Sequence, residues 1–187
     1  MPELARRGSG SSRSGAGRDP IRGPVRVVFL DVDGTLTDGS ISFSAGGDGR
    51  SFWIRDGIAL QWAREQGVLP VVISGRASPA VERRMRDLDL EFYLDARDKV
   101  DVARSVLDRE RVAWAACVMI GDDLPDVALM KRVGWPIAVG DAHPEVKRVA
   151  KLVTRARGGR GAVREAMERV LRHNGGWRRV LERYGAR

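Results

Sequence analysis

Residues 25–39 read VRVVFLDVDGTLTDG, an apolar run followed at once by acidic residues, a glycine and threonines. The run is continuously apolar instead of alternating, which is typical of a parallel strand covered on both faces. Gly34 permits the chain to coil directly after the strand, so Asp31 and Asp33 can face the same ligand. We therefore expect a buried strand that delivers two carboxylates to one edge of a sheet.

The rest of the chain alternates short apolar runs with amphipathic stretches. The further predicted strands are 69–74, 91–94, 115–121, 135–139 and, at an edge, 151–154. The predicted helices are 56–67, 79–89, 99–109, 124–133 and 160–173. Strands and helices in alternation favour an α/β fold built on a doubly wound parallel sheet.

One stretch, residues 40–53, departs from that alternation. Its sequence is SISFSAGGDGRSFW, in which small polar residues alternate with Ile and Phe around a central GGDG. This pattern predicts a β-hairpin inserted directly after the first strand. A short hairpin with an exposed edge is suited to pair with copies of itself.

Composition divides the 187 residues into one domain and two ends. Residues 1–24 are rich in Gly, Ser and Arg and predict a disordered tail, because they hold too little apolar surface to offset the entropy of ordering. The folded domain is expected over 25–174, and the last segment, 175–187, predicts a short helix or a C-terminal tail. The single cysteine, Cys117, and the lack of any membrane-length apolar run or signal peptide predict a soluble cytoplasmic protein.

The net charge of +8 suggests a nucleic-acid partner at first sight. Residues 1–24 carry five Arg against two acids and residues 177–187 carry four Arg against one Glu, so each end holds +3 and the body only +2. Nucleic-acid readers concentrate positive charge on a folded face, often with stacking aromatics. We therefore do not expect nucleic acid as the partner; a basic scaffold acting through its ends is a rival hypothesis, which a steep salt dependence of binding would reveal.

Polar residues follow four of the predicted strands, at the edge where open α/β sheets bind ligands. They are Asp31 to Gly39, then Ser74 to Arg76, then Lys99, then Gly121 to Asp126. Clustered carboxylates stay ionised only beside a compensating cation, which implies Mg²⁺. A metal with a lysine and hydroxyl donors suits an anion with several oxygens, namely a phosphate. One carboxylate of the Asp31–Asp33 pair would attack phosphorus, and the other would protonate the leaving alcohol and then deprotonate water.

From about residue 25 to 173 these motifs resemble the haloacid dehalogenase superfamily of aspartate-nucleophile phosphatases. The matching positions, in motif order, are Asp31 and Asp33, Ser74, Lys99, and Asp122, Asp123 and Asp126. The resemblance implies that Asp31 is the nucleophile and Asp33 the general acid and base. It also implies that Ser74 and Lys99 hold the phosphoryl group.

The same resemblance implies a Mg²⁺ ion bound by Asp31, the backbone carbonyl of Asp33, and Asp122. Asp123 and Asp126 would orient Lys99 and the waters on the metal, as groups behind a metal site do.

The spacing of the motifs leaves no room for a cap domain. Only 43 residues separate Asp31 from Ser74, and only 23 separate Lys99 from Asp122. An uncapped site is open to water, so either the substrate is large or another subunit covers the site.

Within the superfamily, the chain resembles the uncapped 3-deoxy-D-manno-octulosonate 8-phosphate (Kdo-8-phosphate) phosphatases and their relatives acting on nine-carbon 2-keto sugar acid phosphates. The matching segments are 33–39, 54–57, 74–76, 121–126, 139–144 and the glycine-rich 158–165. The resemblance implies a Mg²⁺-dependent phosphatase for Kdo-8-phosphate in lipopolysaccharide sugar synthesis. A sialic-type nine-carbon acid 9-phosphate, or a broad range of sugar phosphates, is the alternative substrate. It also implies a homotetramer assembled through the 40–53 hairpins, in which a neighbour's hairpin and tail help to close each site.

The substrate-binding residues implied by this resemblance are Arg55, Asp56, Gly57, Arg76, Arg84 and Asp123. A substrate with both a phosphate and a carboxylate needs more positive charge than one lysine and Mg²⁺ supply, and arginine binds carboxylates through a bidentate fork. Two positions depart from the family's pattern: Trp53 stands where Asn is usual, and Gln61 stands near the position of a basic residue. Both departures bear on the identity of the sugar, not on the chemistry.

A receiver-like signalling domain is the rival hypothesis from another class of protein. Receivers also use an acidic pocket, a phosphorylated aspartate, a hydroxyl and a lysine. Asp33 argues against this hypothesis, because a receiver keeps a stable aspartyl-phosphate and has no acid/base group two residues after its nucleophile.

Overall fold

The computed structural model describes residues 21–45 and 47–186 of the chain. Its strands, in chain order, are β1 (Val27–Leu30), β2 (Ser42–Ser44), β3 (Gly47–Gly49), β4 (Leu69–Ile73), β5 (Glu91–Tyr93), β6 (Cys117–Gly121), β7 (Trp135–Ala138) and β8 (Leu152–Val153). Six of them form one sheet in the order β5-β4-β1-β6-β7-β8, and every neighbouring pair is parallel. The predicted doubly wound parallel sheet is confirmed.

Among the described residues, five helices lie between strands along the chain, and two more follow the last strand. They are α1 (Ile54–Glu65), α2 (Pro79–Asp87), α3 (Lys99–Glu110), α4 (Val127–Met130), α5 (Pro144–Val149), α6 (Ala162–His173) and α7 (Trp177–Arg183). Within the described part of the chain, none of the helices has the length and apolar character needed to cross a membrane.

The central strand, β1, sets the position of the functional edge. All four of its residues are buried, which agrees with the continuous apolar run in the sequence. At its carboxyl end Leu30 lies in register with Val72 of β4 and with Ile120 of β6. The segments that follow these three strands therefore meet at one edge of the sheet.

The region after β6 differs from the single helix predicted over 124–133. The chain makes a tight turn over Leu124–Asp126, and only Val127–Met130 is α-helical. The Asp123 carboxylate accepts the backbone N–H of Leu124, and Pro125 is the second residue of the turn, so local capping replaces the first turn of the expected helix.

The six-residue helix α5 is absent from the sequence-based prediction. Its start is marked by Pro144 in the first turn and by His143, whose Nδ1 accepts the backbone N–H of Glu145 at 3.2 Å. A proline in the first turn is a recognised helix signal, but six residues are too few to show a clear apolar period.

The predicted hairpin is present as a small separate sheet. Strands β2 and β3 pair with each other in antiparallel register, with Phe43 opposite Asp48. The Phe43 side chain is 82% exposed. From β1 the chain passes through this hairpin to α1, and from α3 directly to β6, so the described residues include no cap domain.

At the amino end, the expected disorder of residues 1–24 falls mostly on residues 1–20, which lie outside the described residues. Ile21 is buried, and the carbonyl oxygen of Gly23 lies 2.8 Å from Nε2 of His173, so packed structure begins before the predicted boundary at residue 25.

At the carboxyl end, the sequence predicts a short helix or a tail over 175–187, and the structure has a helix there, α7. Trp177 and Val180 of α7 are buried in the main core. The Trp62 and Trp177 rings pack edge to face with their centroids 5.9 Å apart, which fixes α7 against α1.

Candidate active site at the carboxyl edge of the sheet

The four predicted catalytic residues come together in one cleft of about 690 Å³. Asp31 follows β1, Ser74 follows β4 and Lys99 begins α3, while Asp33 lies in the coil after β1. The backbone N–H of Asp31 donates to the carbonyl of Ile120 in β6, which anchors the residue to the sheet. The cleft therefore rests on rigid strand ends.

The coil that carries Asp31 and Asp33 depends on Gly34. This glycine has φ +97°, in the region that other residues rarely adopt. A Cβ at this position would also collide with the carboxylate of Asp122. The turn closes when the backbone N–H of Thr37 donates to the carbonyl of Val32 at 3.0 Å. Gly34 thus allows the coil to form and lets the carboxylate from β6 approach it.

Lys99 is the positive centre of the cleft. Its Nζ contacts Asp31 Oδ1 and donates to Asp126 Oδ1 at 2.7 Å. All three residues are buried. Carboxylate oxygens of Asp31, Asp122 and Asp126 lie within 4.8 Å of one another, so three acidic groups lie beside a single ammonium that contacts two of them.

Burial and mutual repulsion change the ionisation of this cluster. Burial raises the pKa of Asp31 to about 8, with Asp126 adding to the effect and Lys99 opposing it. Burial also raises the pKa of Asp122 to about 6. For Lys99, burial lowers the pKa, but Asp31 and Asp126 outweigh it and the net pKa is raised, so the amine stays charged. The cluster therefore lacks positive charge, and its oxygen donors suit a hard divalent cation.

Asp122 and Asp126 take different positions in the cluster. Asp126 Oδ1 accepts from Lys99 and its Oδ2 accepts the backbone N–H of Asp122 at 3.0 Å, so both oxygens are in use. Asp122 Oδ1 accepts the Thr35 hydroxyl at 2.9 Å. Asp126 therefore contacts Lys99 directly, while Asp31 and Asp122 are the carboxylates best placed for a metal.

Asp123 and Ser74 both line the cleft, with different surroundings. Asp123 is exposed and caps the following turn through Leu124, whereas the contacts of Lys99 are with Asp31 and Asp126. Ser74 is buried, and its hydroxyl accepts the backbone N–H of Arg76 at 3.2 Å. The serine hydroxyl is thus held at the floor of the cleft.

The sequence-based prediction missed two arginines that lie beside the catalytic residues. Arg97 lines the cleft two residues before Lys99. Its position in the segment after a predicted strand could have identified it as a candidate site residue. Arg50 follows β3, and its Nε donates to Asp33 Oδ1 at 2.6 Å. No pattern in the sequence links Arg50 to Asp33, because the contact depends on how the hairpin folds back.

Of the predicted substrate residues, only Arg76 and Asp123 line the cleft. Arg55 is exposed and borders a separate hollow of about 380 Å³ beside Trp62 and Tyr184. The structure thus separates Arg55 from the cleft within one chain.

Asp56, predicted to bind substrate, is instead buried at the amino end of α6. Its Oδ1 accepts the backbone N–H of Arg164 at 2.6 Å. The first turn of a helix leaves N–H groups without internal partners, and a carboxylate there satisfies them and complements the helix dipole. Asp56 therefore joins α1 to α6.

Gly57 and Arg84 also lie between helices rather than in the cleft. A Cβ at Gly57 would lie 2.6 Å from Arg84 Nη2, so the glycine makes room for the arginine. The Arg84 guanidinium carbon lies 5.9 Å from the centroid of the Phe52 ring. This pair shapes the packing of α1 on α2.

The glycine-rich segment before α6 supports the coil from behind. The backbone N–H of Gly159 donates to the carbonyl of Thr35 at 3.0 Å, and that of Gly158 donates to Asp141 Oδ1 at 2.9 Å. A Cβ at Gly158 would collide with the carbonyl oxygen of Gly34. Only glycine permits this close approach, so the segment has a structural reason for its composition.

Comparison with known proteins adds independent observations. The sequence profile of a family described as haloacid dehalogenase-like hydrolase matches residues 91–167. The chain is similar to the 3-deoxy-D-manno-octulosonate 8-phosphate phosphatase KdsC of Escherichia coli, with 36% identity over 149 residues, 79% of this chain and 79% of the relative. It is also similar to KdsC of Haemophilus influenzae, with 33% identity over 153 residues, 81% of this chain and 85% of the relative.

Solved structures show the same likeness. One is a 3-deoxy-D-manno-octulosonate 8-phosphate phosphatase of Moraxella catarrhalis in complex with magnesium, phosphate and KDO, with a TM-score of 0.82 and 29% identity, covering 86% of this chain and 93% of that chain. Another is the 3-deoxy-D-manno-octulosonate 8-phosphate phosphatase of Yersinia pestis, with a TM-score of 0.80 and 33% identity, covering 82% of this chain and 84% of that chain.

Asp56 gives the protein a pH-dependent stability that an amide would lack. Burial raises the pKa of Asp56 to about 6, so between about pH 4 and pH 6 the folded chain keeps a proton that the unfolded chain loses. The stability contributed by this group therefore falls as pH rises through that window. Asp56→Asn keeps an oxygen for the Arg164 amide without ionising. Its free energy of unfolding relative to wild type should rise by on the order of 2 kcal/mol between pH 4 and pH 7.5.

Urea unfolding of both proteins at the two pH values measures this difference. Asp87→Asn, at an exposed position in the last turn of α2, is the matched control and should track wild type at both pH values. If the offset between Asp56→Asn and wild type were independent of pH, the buried carboxylate would not be the source.

Proposed function

Since the chain belongs to the haloacid dehalogenase-like hydrolases, in the family of the 3-deoxy-D-manno-octulosonate 8-phosphate phosphatases, we propose that it hydrolyses Kdo-8-phosphate through an aspartyl-phosphate on Asp31. It is a phosphoric monoester hydrolase, and its cofactor is Mg²⁺. The observation that carries the proposal is the buried Lys99 between Asp31 and Asp126, with Asp122 alongside, at the carboxyl end of β1.

The first step forms a bond between a carboxylate oxygen of Asp31 and the phosphorus of the substrate. The bond from phosphorus to the sugar oxygen breaks, and Asp33 gives its proton to that oxygen. In the second step Asp33 takes a proton from water, whose oxygen attacks phosphorus. The bond between phosphorus and Asp31 then breaks, releasing phosphate and restoring the carboxylate.

Asp31, Asp122 and the backbone carbonyl of Asp33 would hold the Mg²⁺ ion. The fit rests on the oxygen donors of the cluster and on its excess of negative charge over the single ammonium of Lys99. When bound, the ion neutralises charge on the phosphoryl oxygens and on the Asp31 nucleophile.

Lys99 and Ser74 would hold the phosphoryl group from the protein side. Lys99 is fixed by Asp126, so its ammonium needs little reorganisation to meet the charge that develops on the phosphoryl oxygens. Ser74 is buried at the end of β4 and supplies a hydroxyl donor.

The substrate's carboxylate would be recognised by arginines at the rim of the cleft. Arg76 and Arg97 both line the cleft beside the reacting groups, and arginine binds carboxylates through two parallel hydrogen bonds. Arg55, which is exposed and does not line the cleft of its own chain, would contact substrate at a neighbouring subunit's site. Asp56, Gly57 and Arg84 would support the site through packing.

The protein would assemble as a homotetramer through its hairpins. The two-stranded sheet pairs only with itself among the described residues, and Phe43 is 82% exposed on it. An apolar side chain on an open hairpin edge favours pairing with another copy. The neighbouring hairpin would cover a cleft that has no cap of its own.

A cytoplasmic location, in a pathway that makes lipopolysaccharide sugars, would suit this function. The buried, unpaired thiol of Cys117 is compatible with a reducing compartment.

Replacing the nucleophile tests the chemistry. Asp31→Asn should lower kcat by at least about 10³-fold and should abolish an acid-stable phosphoenzyme that wild type accumulates. Because burial raises the pKa of Asp31, removing this charge should not lower the melting temperature in the absence of metal. The exposed Asp101→Asn on α3 is the control and should retain activity. Turnover close to wild type in Asp31→Asn would rule out the aspartyl-phosphate.

The substrate is tested by phosphate release with Mg²⁺ from Kdo-8-phosphate, a sialic-type nine-carbon acid 9-phosphate, and simple hexose and pentose phosphates. The expected result is a preference for Kdo-8-phosphate of about 10²-fold in kcat/KM, because a site built for the acid leaves its arginines unpaired with a neutral sugar. A preference for the nine-carbon acid would favour the alternative substrate and assign the change to Trp53 and Gln61. A flat profile would indicate a broad-range sugar phosphatase.

The hairpin interface is tested by sedimentation. Wild type should sediment as a tetramer, and Phe43→Asp should dissociate it by placing a charge in an apolar contact. Val153→Asp is the control: Val153 lies on β8 and is 40% exposed, so this variant should remain tetrameric. A tetramer that survives Phe43→Asp would place the interface elsewhere.

A further inference from the structure

We propose that Arg50 is a positioning residue for the reaction: it fixes the Asp33 carboxylate in the orientation needed to exchange a proton with the leaving group. This inference rests on the proposed function, in which Asp33 is the general acid and base. It adds a residue from the hairpin, outside the motifs at the strand ends.

The contacts of Arg50 join three parts of the fold. Its Nε donates to Asp33 Oδ1 at 2.6 Å, in the coil after β1. Its Nη1 contacts Asp48 in β3 and donates to the Ser78 hydroxyl at 2.9 Å, at the start of α2. One guanidinium therefore links the catalytic coil, the hairpin and a helix.

This pair differs from the surface ion pairs of the same chain. The Arg50 side chain is 0% exposed, whereas the Arg86 and Glu82 side chains, also 2.6 Å apart, are 69% and 44% exposed. Burying a charge costs free energy that a carboxylate partner only partly returns. In addition, Nη2 of Arg50 is buried and has no hydrogen-bond partner among the described residues. Stability alone is a weak reason for such an arrangement, and a fixed position for Asp33 is a stronger one.

Asp33 depends on Arg50 for its orientation. Within the described part of the chain, the bond from Arg50 to Oδ1 is the one hydrogen bond that its carboxylate receives, and Oδ2 receives none. Asp33 lines the same cleft as Asp31, and its side chain is 28% exposed. With Oδ1 held, Oδ2 is the oxygen that remains for proton exchange with the substrate.

The position of this oxygen matters because proton transfer requires hydrogen-bond reach. A positioned general acid contributes about 10²–10⁴-fold to rate, and a misplacement of about 1 Å can remove 10²-fold. The contribution depends on the leaving group. A sugar alcohol needs a proton as it departs, whereas p-nitrophenolate leaves readily without one.

The test compares Arg50→Gln with wild type on Kdo-8-phosphate and on p-nitrophenyl phosphate. Arg50→Gln should lower kcat/KM about 10²-fold for the sugar phosphate and less than about 5-fold for the aryl phosphate. Arg50→Lys keeps the charge and a donor, so it should recover part of the loss. Arg86→Gln removes an arginine from an exposed ion pair of equal length and should leave both substrates unchanged.

Equal losses of kcat/KM on both substrates would show general damage to the fold and would overturn the proposal, as would no loss on either.

A second readout is the double variant. In an Asp33→Asn background, Arg50→Gln should change kcat/KM less than about 2-fold, because the two residues act as one unit. A full additional loss in that background would overturn the proposal.

Asp33→Asn alone separates this inference from the proposed function. If Asp33→Asn lowers kcat/KM, which reports the phosphorylation step, selectively for the sugar phosphate while Arg50→Gln does not, only the role of Arg50 fails. If Asp33→Asn hydrolyses both substrates like wild type, the acid/base role and the proposal built on it both fail.

Thermal unfolding checks that each variant is folded. If Arg50→Gln does not fold, Arg50→Lys decides: it should change the ratio of the kcat/KM values for the two substrates about 10-fold. An unchanged ratio would overturn the proposal.

Discussion

The structure depends on one electrostatic constraint: the buried carboxylates of Asp31 and Asp126 share the ammonium of Lys99 at the end of β1, with the half-buried Asp122 alongside. Burying that much negative charge is unfavourable without a cation, so the fold must supply rigid supports that keep the groups together. The buried central strand supplies one support by fixing Asp31 between β4 and β6. The helix α3 supplies another, since Lys99 is its first residue and Asp98 caps it through the N–H of Val100 at 2.7 Å. The same imbalance of charge makes the site a receptor for Mg²⁺ and, with it, for a phosphoryl group.

Glycines allow these supports to approach one another. Gly34 turns the coil after β1 and leaves room for Asp122, and Gly121 leaves room for Asp126, since a Cβ at either position would meet a carboxylate. Gly158 and Gly159 then bring the segment before α6 onto the back of the same coil. The carboxylates of Asp122 and Asp126 thus pack closely against backbone. This backbone contact adds to the side-chain contacts that Lys99 makes with Asp31 and Arg50 makes with Asp33, which suits a reaction that requires fixed charges.

The sequence was sufficient to predict the sheet and the groups at its edge, because both follow from local signals. Each strand is a continuous apolar run, and each catalytic group directly follows a strand or begins a helix. Helices α4 and α5 were predicted poorly, since four and six residues are too short for an apolar period to appear. The role of Asp56 was also out of reach. The local sequence Arg55-Asp56-Gly57 places polar groups at the start of α1, but only the packing of α6 against α1 shows that Asp56 accepts the Arg164 amide.

The difference between local sequence signals and contacts made by packing also separates the residues proposed for the chemistry from those proposed for substrate selectivity. The groups proposed to act on phosphorus stand at strand ends inside one chain, so the sequence order of the sheet is enough to bring them together. Other groups proposed to cover the cleft or to contact the sugar lie on the hairpin and near α1, where Phe43 and Trp53 are exposed and Arg55 borders a separate hollow. Arg50 links the two sets, because it extends from the hairpin to Asp33 and is fully buried there. Under the roles proposed for Arg50 and the hairpin, a change in the position of the hairpin would act on proton transfer as well as on substrate access, which would tie assembly to the chemical step.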